Sequence, residues 1–264
     1  MVKTQSAKSV TGKRSLTVRV KTAKYRKKSS NRWLERQLND PYVSEAKRLG
    51  YRSRAAFKLI QLDEKFRFLG KGKTIVDLGC APGGWTQIAV MRNKGSGQVV
   101  GLDILPTEPI AGATLIQQDF TAEDAADKLK KRLDGKADIV MSDMAANTIG
   151  HQQTDHLRTI ALVELAYDFA KDVLAEGGIF IAKVFKGGAE AGFLAEIKKN
   201  FAKVSHCKPD ASRKASPEEY LVAIGFRGGN DFVELGFVFC YGGIHRFFGV
   251  YASAVKSKHA ARIE

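Results

Sequence analysis

Apolar residues fall into short runs whose period changes along the chain. Thr74-Ile75-Val76-Asp77-Leu78 is a compact β-rich run closed by Gly79, and Ile75-Val76, Val99-Val100 and Ile179-Phe180-Ile181 are apolar at successive positions. Strands buried on both faces of a parallel sheet read this way. The pattern predicts strands over 73–79, 98–103, 113–117, 137–142, 178–184, 202–208 and 219–226, with helices over 84–92, 122–133, 154–174 and 189–200 between them. Upstream, Leu59, Leu62 and Phe66 mark the apolar side of a further helix, for which Ser53 is the expected N-cap. Residues 31–47 carry Trp33, Leu34, Leu38, Val43 and Ala46 at spacing compatible with a short helix interrupted at Pro41. Alternating strands and helices predict an α/β fold, a doubly wound, mostly parallel seven-stranded sheet over about residues 50–226. Ligands of such sheets bind at the carboxyl ends of the strands, so the residues just beyond each strand are the ones to read for chemistry.

Composition narrows the class. The 264 residues are 44% hydrophobic and 27% charged, as in soluble globular proteins. Lys plus Arg outnumber Asp plus Glu by 43 to 28, and the excess is concentrated at the front. Residues 1–60 hold 17 basic side chains against Glu35, Asp40 and Glu45, whereas the remaining 204 hold 26 basic and 25 acidic ones. A near-neutral body with a cationic extension, taken as a disordered arm over 1–30, calls for a polyanionic partner, and nucleic acid leads. A membrane surface fits less well, because residues 1–30 offer few large apolar side chains. The most apolar stretch, Phe232–Ala252, is broken by Glu234, His245 and Arg246, leaving uncharged runs far short of the roughly 20 residues of a spanning helix. Cys80, Cys207 and Cys240 form neither a metal-ligand spacing nor a disulfide framework, which points to a reducing compartment. The cytoplasm is expected, with the mitochondrial matrix as the alternative that an acid-free, Lys-rich, Ser-containing opening keeps open. No His or Cys constellation suggests a metal; His151 and His156 are five apart with no Cys beside them.

The first strand ends in Asp77-Leu78-Gly79-Cys80-Ala81-Pro82-Gly83-Gly84-Trp85. Glycines allow a sharp turn and a close backbone approach, and the helix starting near Gly84 presents free N–H groups. The spacing is neither G-x-G-x-x-G nor a P-loop, which argues against a pyrophosphate ligand. The second strand ends in Asp103, where a carboxylate can grip a ribose diol, and the third near Asp119-Phe120, within reach of an adenine edge. Three consecutive strand ends thus suit a nucleoside cofactor.

These segments, together with Leu102-Asp103-Ile104-Leu105-Pro106, Gln118-Asp119-Phe120, Met141-Ser142-Asp143-Met144-Ala145, Lys183-Val184-Phe185, Lys208-Pro209-Asp210-Ala211-Ser212-Arg213 and Tyr51-Arg52-Ser53-Arg54-Ala55-Ala56-Phe57-Lys58-Leu59, closely resemble the RlmE/FtsJ/RrmJ family over about residues 30–225. The resemblance implies a Rossmann-like S-adenosylmethionine-dependent methyltransferase domain over 31–227 that methylates the ribose 2′-hydroxyl of a uridine in large-subunit (23S) ribosomal RNA. It implies that Gly83 and Trp85 line the methionine side of S-adenosylmethionine, that Asp103 holds its ribose and that Asp119 meets its adenine region. It further implies a catalytic set of Lys58, Asp143, Lys183 and Glu218, with Asp143 also among the residues that bind the cofactor. Glu218 is preferred to Glu219 because the family's glutamate lies two residues before an aromatic, here Tyr220. One departure stands out: the family usually has Pro after the Asp-x-Ala of the fourth strand, where this chain has Ala146-Asn147. Residues 228–264 fall outside the resemblance as an extension of unassigned role.

The chemistry makes sense of that set. A ribose hydroxyl must be oriented and relieved of one proton before its oxygen attacks an activated methyl carbon. Lys183 is the candidate base, with Lys58 as the second cation that would lower its proton affinity, and Asp143 and Glu218 steer the two ammonium groups. The alternative is that Lys183 stays charged and only orients the oxygen. Arg52, Arg54 and Lys58 are expected to guide RNA phosphates toward the pocket. The acceptor is expected in the assembled large subunit, acted on by a monomer, since a ribose must be presented from a loop or particle. Rival readings are another RNA acceptor (transfer RNA or a messenger cap), a non-catalytic RNA-binding or ribosome-assembly factor on the same fold, and a haemolysin-like protein.

Overall fold

Asp40-Pro41 divides the N-terminal helical segment in two. Proline fixes φ and lacks the N–H that a first helical turn leaves unpaired anyway, and the Asp40 side chain accepts the Tyr42 amide at 3.1 Å. Helix α1 (Lys28–Leu38) therefore ends before Asp40 and α2 (Pro41–Leu49) begins after it, closing on Gly50 in the left-handed region at φ 73°. The structure, a computed structural model, describes residues 27–146, 152–185 and 191–228, with Val20, Thr22 and Lys24 ahead of them. Most of the expected arm and, apart from Gly228, all of the 228–264 extension lie outside the described residues, but the last three residues of that arm, Lys28, Ser29 and Ser30, are helical rather than disordered and open α1.

Helix α3 (Ala55–Phe66) buries Leu59 and Leu62 completely. Ser53 is not its cap. Arg54 holds that position without a side-chain cap bond, and the Ser53 hydroxyl is buried without a partner, packed where a Cβ on Gly84 would come within 2.3 Å of it. The sheet then follows with β1 (Ile75–Leu78), α4 (Gly84–Asn93), β2 (Val99–Asp103), β3 (Thr114–Gln117), α5 (Ala125–Lys130), β4 (Ala137–Ser142), α6 (Gln152–Val173), β5 (Leu174–Phe185), α7 (Ala191–Asn200), β6 (Phe201–Cys207) and β7 (Glu218–Phe226). Two elements differ from expectation. Helix α5 is half the expected length, because Ala122 and Ala125 are held in turns before it and Arg132 and Leu133 in i to i−3 turns after it. Strand β5 starts at Leu174, paired with Ala137 ahead of a register shift, rather than at residue 178.

Strand order is β3-β2-β1-β4-β5-β7-β6, with β7 antiparallel to both its neighbours and the other pairings parallel. Alternate side chains enter two cores. Val76, Leu78, Val100, Val140 and Phe180 pack with α5, α6 and α7 on one face, while Ile75, Val99, Ile139, Met141 and Ile181 pack with α3 and α4 on the other. The order reverses between β1 and β4, so the crevice at their carboxyl ends is the ligand position such sheets provide. Among the described residues no helix is long and apolar enough to cross a membrane, and no three His, Cys, Asp or Glu side chains gather as a metal site.

Candidate active site

Strand register brings the expected catalytic residues together from four elements. Ser142 of β4 lies opposite Ala182 of β5, and Lys183 opposite Tyr220 of β7, so Asp143, Lys183 and Tyr220 meet where the strands end. Lys183 Nζ donates to the Asp143 carbonyl at 2.7 Å and lies 3.2 Å from its Oδ1. The Tyr220 hydroxyl donates to the same Oδ1 at 2.8 Å and accepts from Lys58 Nζ at 3.1 Å. Lys58, on α3, completes the set with an ion pair to Glu218 Oε1 at 2.7 Å, an oxygen that also accepts the Ser212 hydroxyl at 2.8 Å. Of the two adjacent glutamates, Glu218 faces Lys58 and Glu219 faces His206 at 3.4 Å.

Two ammonium and two carboxylate groups balance in this little-hydrated cluster. Burial pushes the Asp143 carboxyl up, but the charges of Lys183 and Lys58 and the Tyr220 hydrogen bond outweigh it and hold the group below the usual carboxylate range. Burial, reinforced by the Asp143 and Glu218 charges, raises the Tyr220 phenol well above its ordinary value, so it stays a neutral donor. In the sequence Tyr220 is only a landmark for Glu218, and its spacing of two along a strand, which sets both on one face, is the signal for its presence here. In the same network Lys58 and Lys183 are linked through Tyr220 and Asp143.

The glycine turn lies beside this cluster. Gly79 takes φ +79°, and a Cβ there would come within 2.8 Å of the Met144 amide nitrogen, so only glycine lets the turns after β1 and β4 approach. Asp103 fastens the turn to the end of β2: one carboxylate oxygen accepts the Ala81 amide and the other the Leu105 amide, both at 2.8 Å. The next residues, Ile104 and Leu105, are about 60% exposed. A half-buried, pre-oriented carboxylate followed by an exposed apolar pair fits a nucleoside, whose diol needs an acceptor and whose base needs a flat apolar surface. Asp119 is exposed, and its Oδ1 accepts the Thr121 amide at 2.9 Å and hydroxyl at 2.7 Å, which holds it below the usual carboxylate range.

Four of the expected side chains have partners within the protein itself. The Trp85 indole does not line an open surface: it is 3% exposed, donates to the Ala55 carbonyl at 2.9 Å and packs 5.4 Å from the Tyr220 ring. What this residue offers a ligand is main-chain N–H in the first turn of α4. Arg54 is bound to Asp40 at 3.1 Å and to the Ala211 carbonyl, and Arg52 to the Glu108 and Pro109 carbonyls at 2.6 Å each. With Lys58 held by Glu218, all three cations assigned to phosphates are engaged by the protein itself. A cavity of about 560 Å³ lined by Thr74, Gln98, Thr114 and Asp134 opens at the opposite, amino ends of β1, β2 and β3 and holds none of these groups.

A seven-stranded sheet with its last strand inserted antiparallel, a glycine turn and the Asp103 and Asp119 carboxylates at its strand ends, and a Lys-Asp-Lys-Glu cluster beside them define a Rossmann-like methyltransferase. The FtsJ-like methyltransferase family matches residues 51–226. Ribosomal RNA large subunit methyltransferase E of Paramagnetospirillum magneticum is 61% identical over 225 residues, 83% of this chain and 92% of that protein. The protein of the same name from Novosphingobium aromaticivorans is 59% identical over 213 residues, 81% of this chain and 96% of that one. A crystal structure provisionally described as a ribosomal RNA methyltransferase of Plasmodium falciparum superposes with a TM-score of 0.60 at 36% identity, covering 67% of this chain and all of that one. The chain belongs to the FtsJ-like methyltransferase family.

Proposed function

We propose that this protein transfers the methyl group of S-adenosylmethionine to the 2′-hydroxyl of a uridine in large-subunit (23S) ribosomal RNA, on the assembled subunit. The observation that carries the reading is the buried Lys58–Glu218, Tyr220, Asp143–Lys183 network beside the glycine turn, in a chain about 60% identical to named large-subunit methyltransferases. S-adenosylmethionine, when bound, supplies a methyl carbon already activated by its sulfonium. Asp103 would hold its ribose, Ile104 and Leu105 would give its adenine an apolar face near Asp119, and Gly83 with the first N–H groups of α4 would receive the methionine end.

Lys183 is the group placed to act on the acceptor oxygen. The Asp143 carbonyl and carboxylate hold its amine from one side, so its remaining direction is set, and a pre-aimed group orients the hydroxyl at little entropic cost. Having first released one ammonium proton to solvent, Lys183 takes the hydroxyl proton as the oxygen attacks, and the ionised Asp143 stabilises the ammonium that re-forms. Tyr220 fixes the Asp143 carboxylate from the other side, and Glu218 anchors Lys58, so that the cluster is neutral whenever Lys183 is protonated.

The test is transfer of labelled methyl from S-adenosylmethionine to unmodified large subunits, free ribosomal RNA and transfer RNA. Label mapped to a ribose in the large subunit, and reduced at least ~100-fold in Lys183→Ala with cofactor affinity retained, is the expected result. A rate-against-pH profile with no ascending limb assignable to Lys183 would leave it only the orienting role. Label in transfer RNA alone would reassign the acceptor, and no cofactor binding at all would make the chain an assembly factor.

A further inference from the structure

We propose that Arg52 is a positioning residue for the cofactor: it staples together the two turns between which the nucleoside lies and does not contact RNA. The inference rests on the methyltransferase reading above. Residues 104–110, which follow Asp103, form no helix or strand, so their main chain must be held by something else. Arg52 Nη1 donates to the Glu108 carbonyl and Nη2 to the Pro109 carbonyl, both at 2.6 Å, a fork spanning two consecutive carbonyls. Nη1 also lies 3.5 Å from the Pro82 carbonyl in the glycine turn, and a Cβ on Gly83 would come within 2.7 Å of Ile110 and 3.0 Å of Arg52 Cδ. The base of the side chain is fixed as well. The Arg52 amide donates to Gln87 Oε1 at 3.0 Å, and Gln87 Nε2 donates to the Gly50 carbonyl at 2.9 Å, tying this segment to α4. One residue thus sets the spacing between the end of β1, which receives the methionine part, and the loop after β2, which receives the adenosine part.

A lysine keeps the charge but cannot span two carbonyls, so Arg52→Lys separates geometry from charge. In ligand-free protein, amide hydrogen exchange of residues 104–110 is expected to speed up several-fold in this variant. Calorimetric binding of S-adenosylhomocysteine is expected to weaken about 5- to 20-fold, and KM for S-adenosylmethionine to rise in proportion with kcat within about twofold. The slope of log RNA affinity against log salt should stay unchanged even in Arg52→Gln. Unchanged exchange and unchanged S-adenosylhomocysteine affinity in Arg52→Lys would overturn the proposal. So would a salt slope shallower by about one in Arg52→Gln with full cofactor binding, the mark of a lost phosphate contact. If the wild-type protein itself fails to bind S-adenosylhomocysteine, the methyltransferase reading falls with it, and the exchange experiment alone reports whether Arg52 pins the loop.

Discussion

Asp77 sits wholly buried in β1 between two other carboxylates, and its protonation is a property of the fold. Burial is the largest influence, the Thr86 hydroxyl at 2.6 Å offsets part of it, and Asp143 and Asp103 add to it, so its pKa is pushed up from 3.8 to about 7. Below about pH 4 the group is protonated both folded and unfolded and costs nothing. Between pH 4 and 7 only the folded state keeps the proton, so stability falls as pH rises, and above about 7 the loss is complete. Asp77→Asn, which keeps an acceptor for Thr86, is therefore expected to melt higher than the wild type at pH 8 and equally at pH 4. The difference should be on the order of a few kcal/mol. Thermal melts across that range check this, and parallel pH profiles of the two proteins would refute it.

At the scale of elements, one carboxylate joins three segments. Asp40 caps α2 through the Tyr42 amide, pairs with Arg54 at the start of α3 at 3.1 Å and lies 3.5 Å from Arg213 in the loop before β7. Arg54 in turn reaches the Ala211 carbonyl, and the Ala211 amide donates to Gln61 Oε1 at 2.8 Å, closing the tie between α3 and that loop. These are the two segments that carry Lys58 and Ser212 to Glu218. Asp40→Ala removes a helix cap and strands a largely buried guanidinium, which together should cost about 2–4 kcal/mol in denaturant unfolding, with Asp40→Asn recovering the cap's share. A loss below ~1 kcal/mol would show that solvent readily replaces the pair. RNA affinity at a temperature where the variant is folded should stay within about twofold, in contrast to what a phosphate-binding Arg54 would give.

For the whole molecule, charge and fold are separated along the chain. Residues 1–26 hold eight basic side chains and no acidic one, while the described body spends Arg52, Arg54 and Lys58 on its own carbonyls and carboxylates. Removing residues 1–26 is expected to lower RNA affinity ~10- to 100-fold near physiological salt and to flatten its salt dependence, with S-adenosylhomocysteine affinity unchanged. Filter binding at several salt concentrations against calorimetry separates the two effects, and unchanged RNA affinity would make the segment a solvated extension. The parallel sheet was legible in the sequence because strands buried on both faces must be apolar at consecutive positions, and the glycine turn because left-handed backbone and close packing of Gly79 on Met144 exclude a side chain. Short α5 and early β5 were not legible, since turn hydrogen bonds and strand pairing, rather than residue type, set those ends. Motif spacing likewise marked Lys58, Asp143, Lys183 and Glu218, but could not show that Tyr220 joins them, that Trp85 is buried beneath Tyr220, or that Arg52 and Arg54 face carbonyls and Asp40. Local pattern is a property of neighbours in the chain, and so it determined the elements, the class of fold and the residues of interest. The partners of a charged side chain come from segments far away in sequence, across 56 residues for Arg52 and 157 for Arg54 and Ala211, and only the tertiary structure decides them.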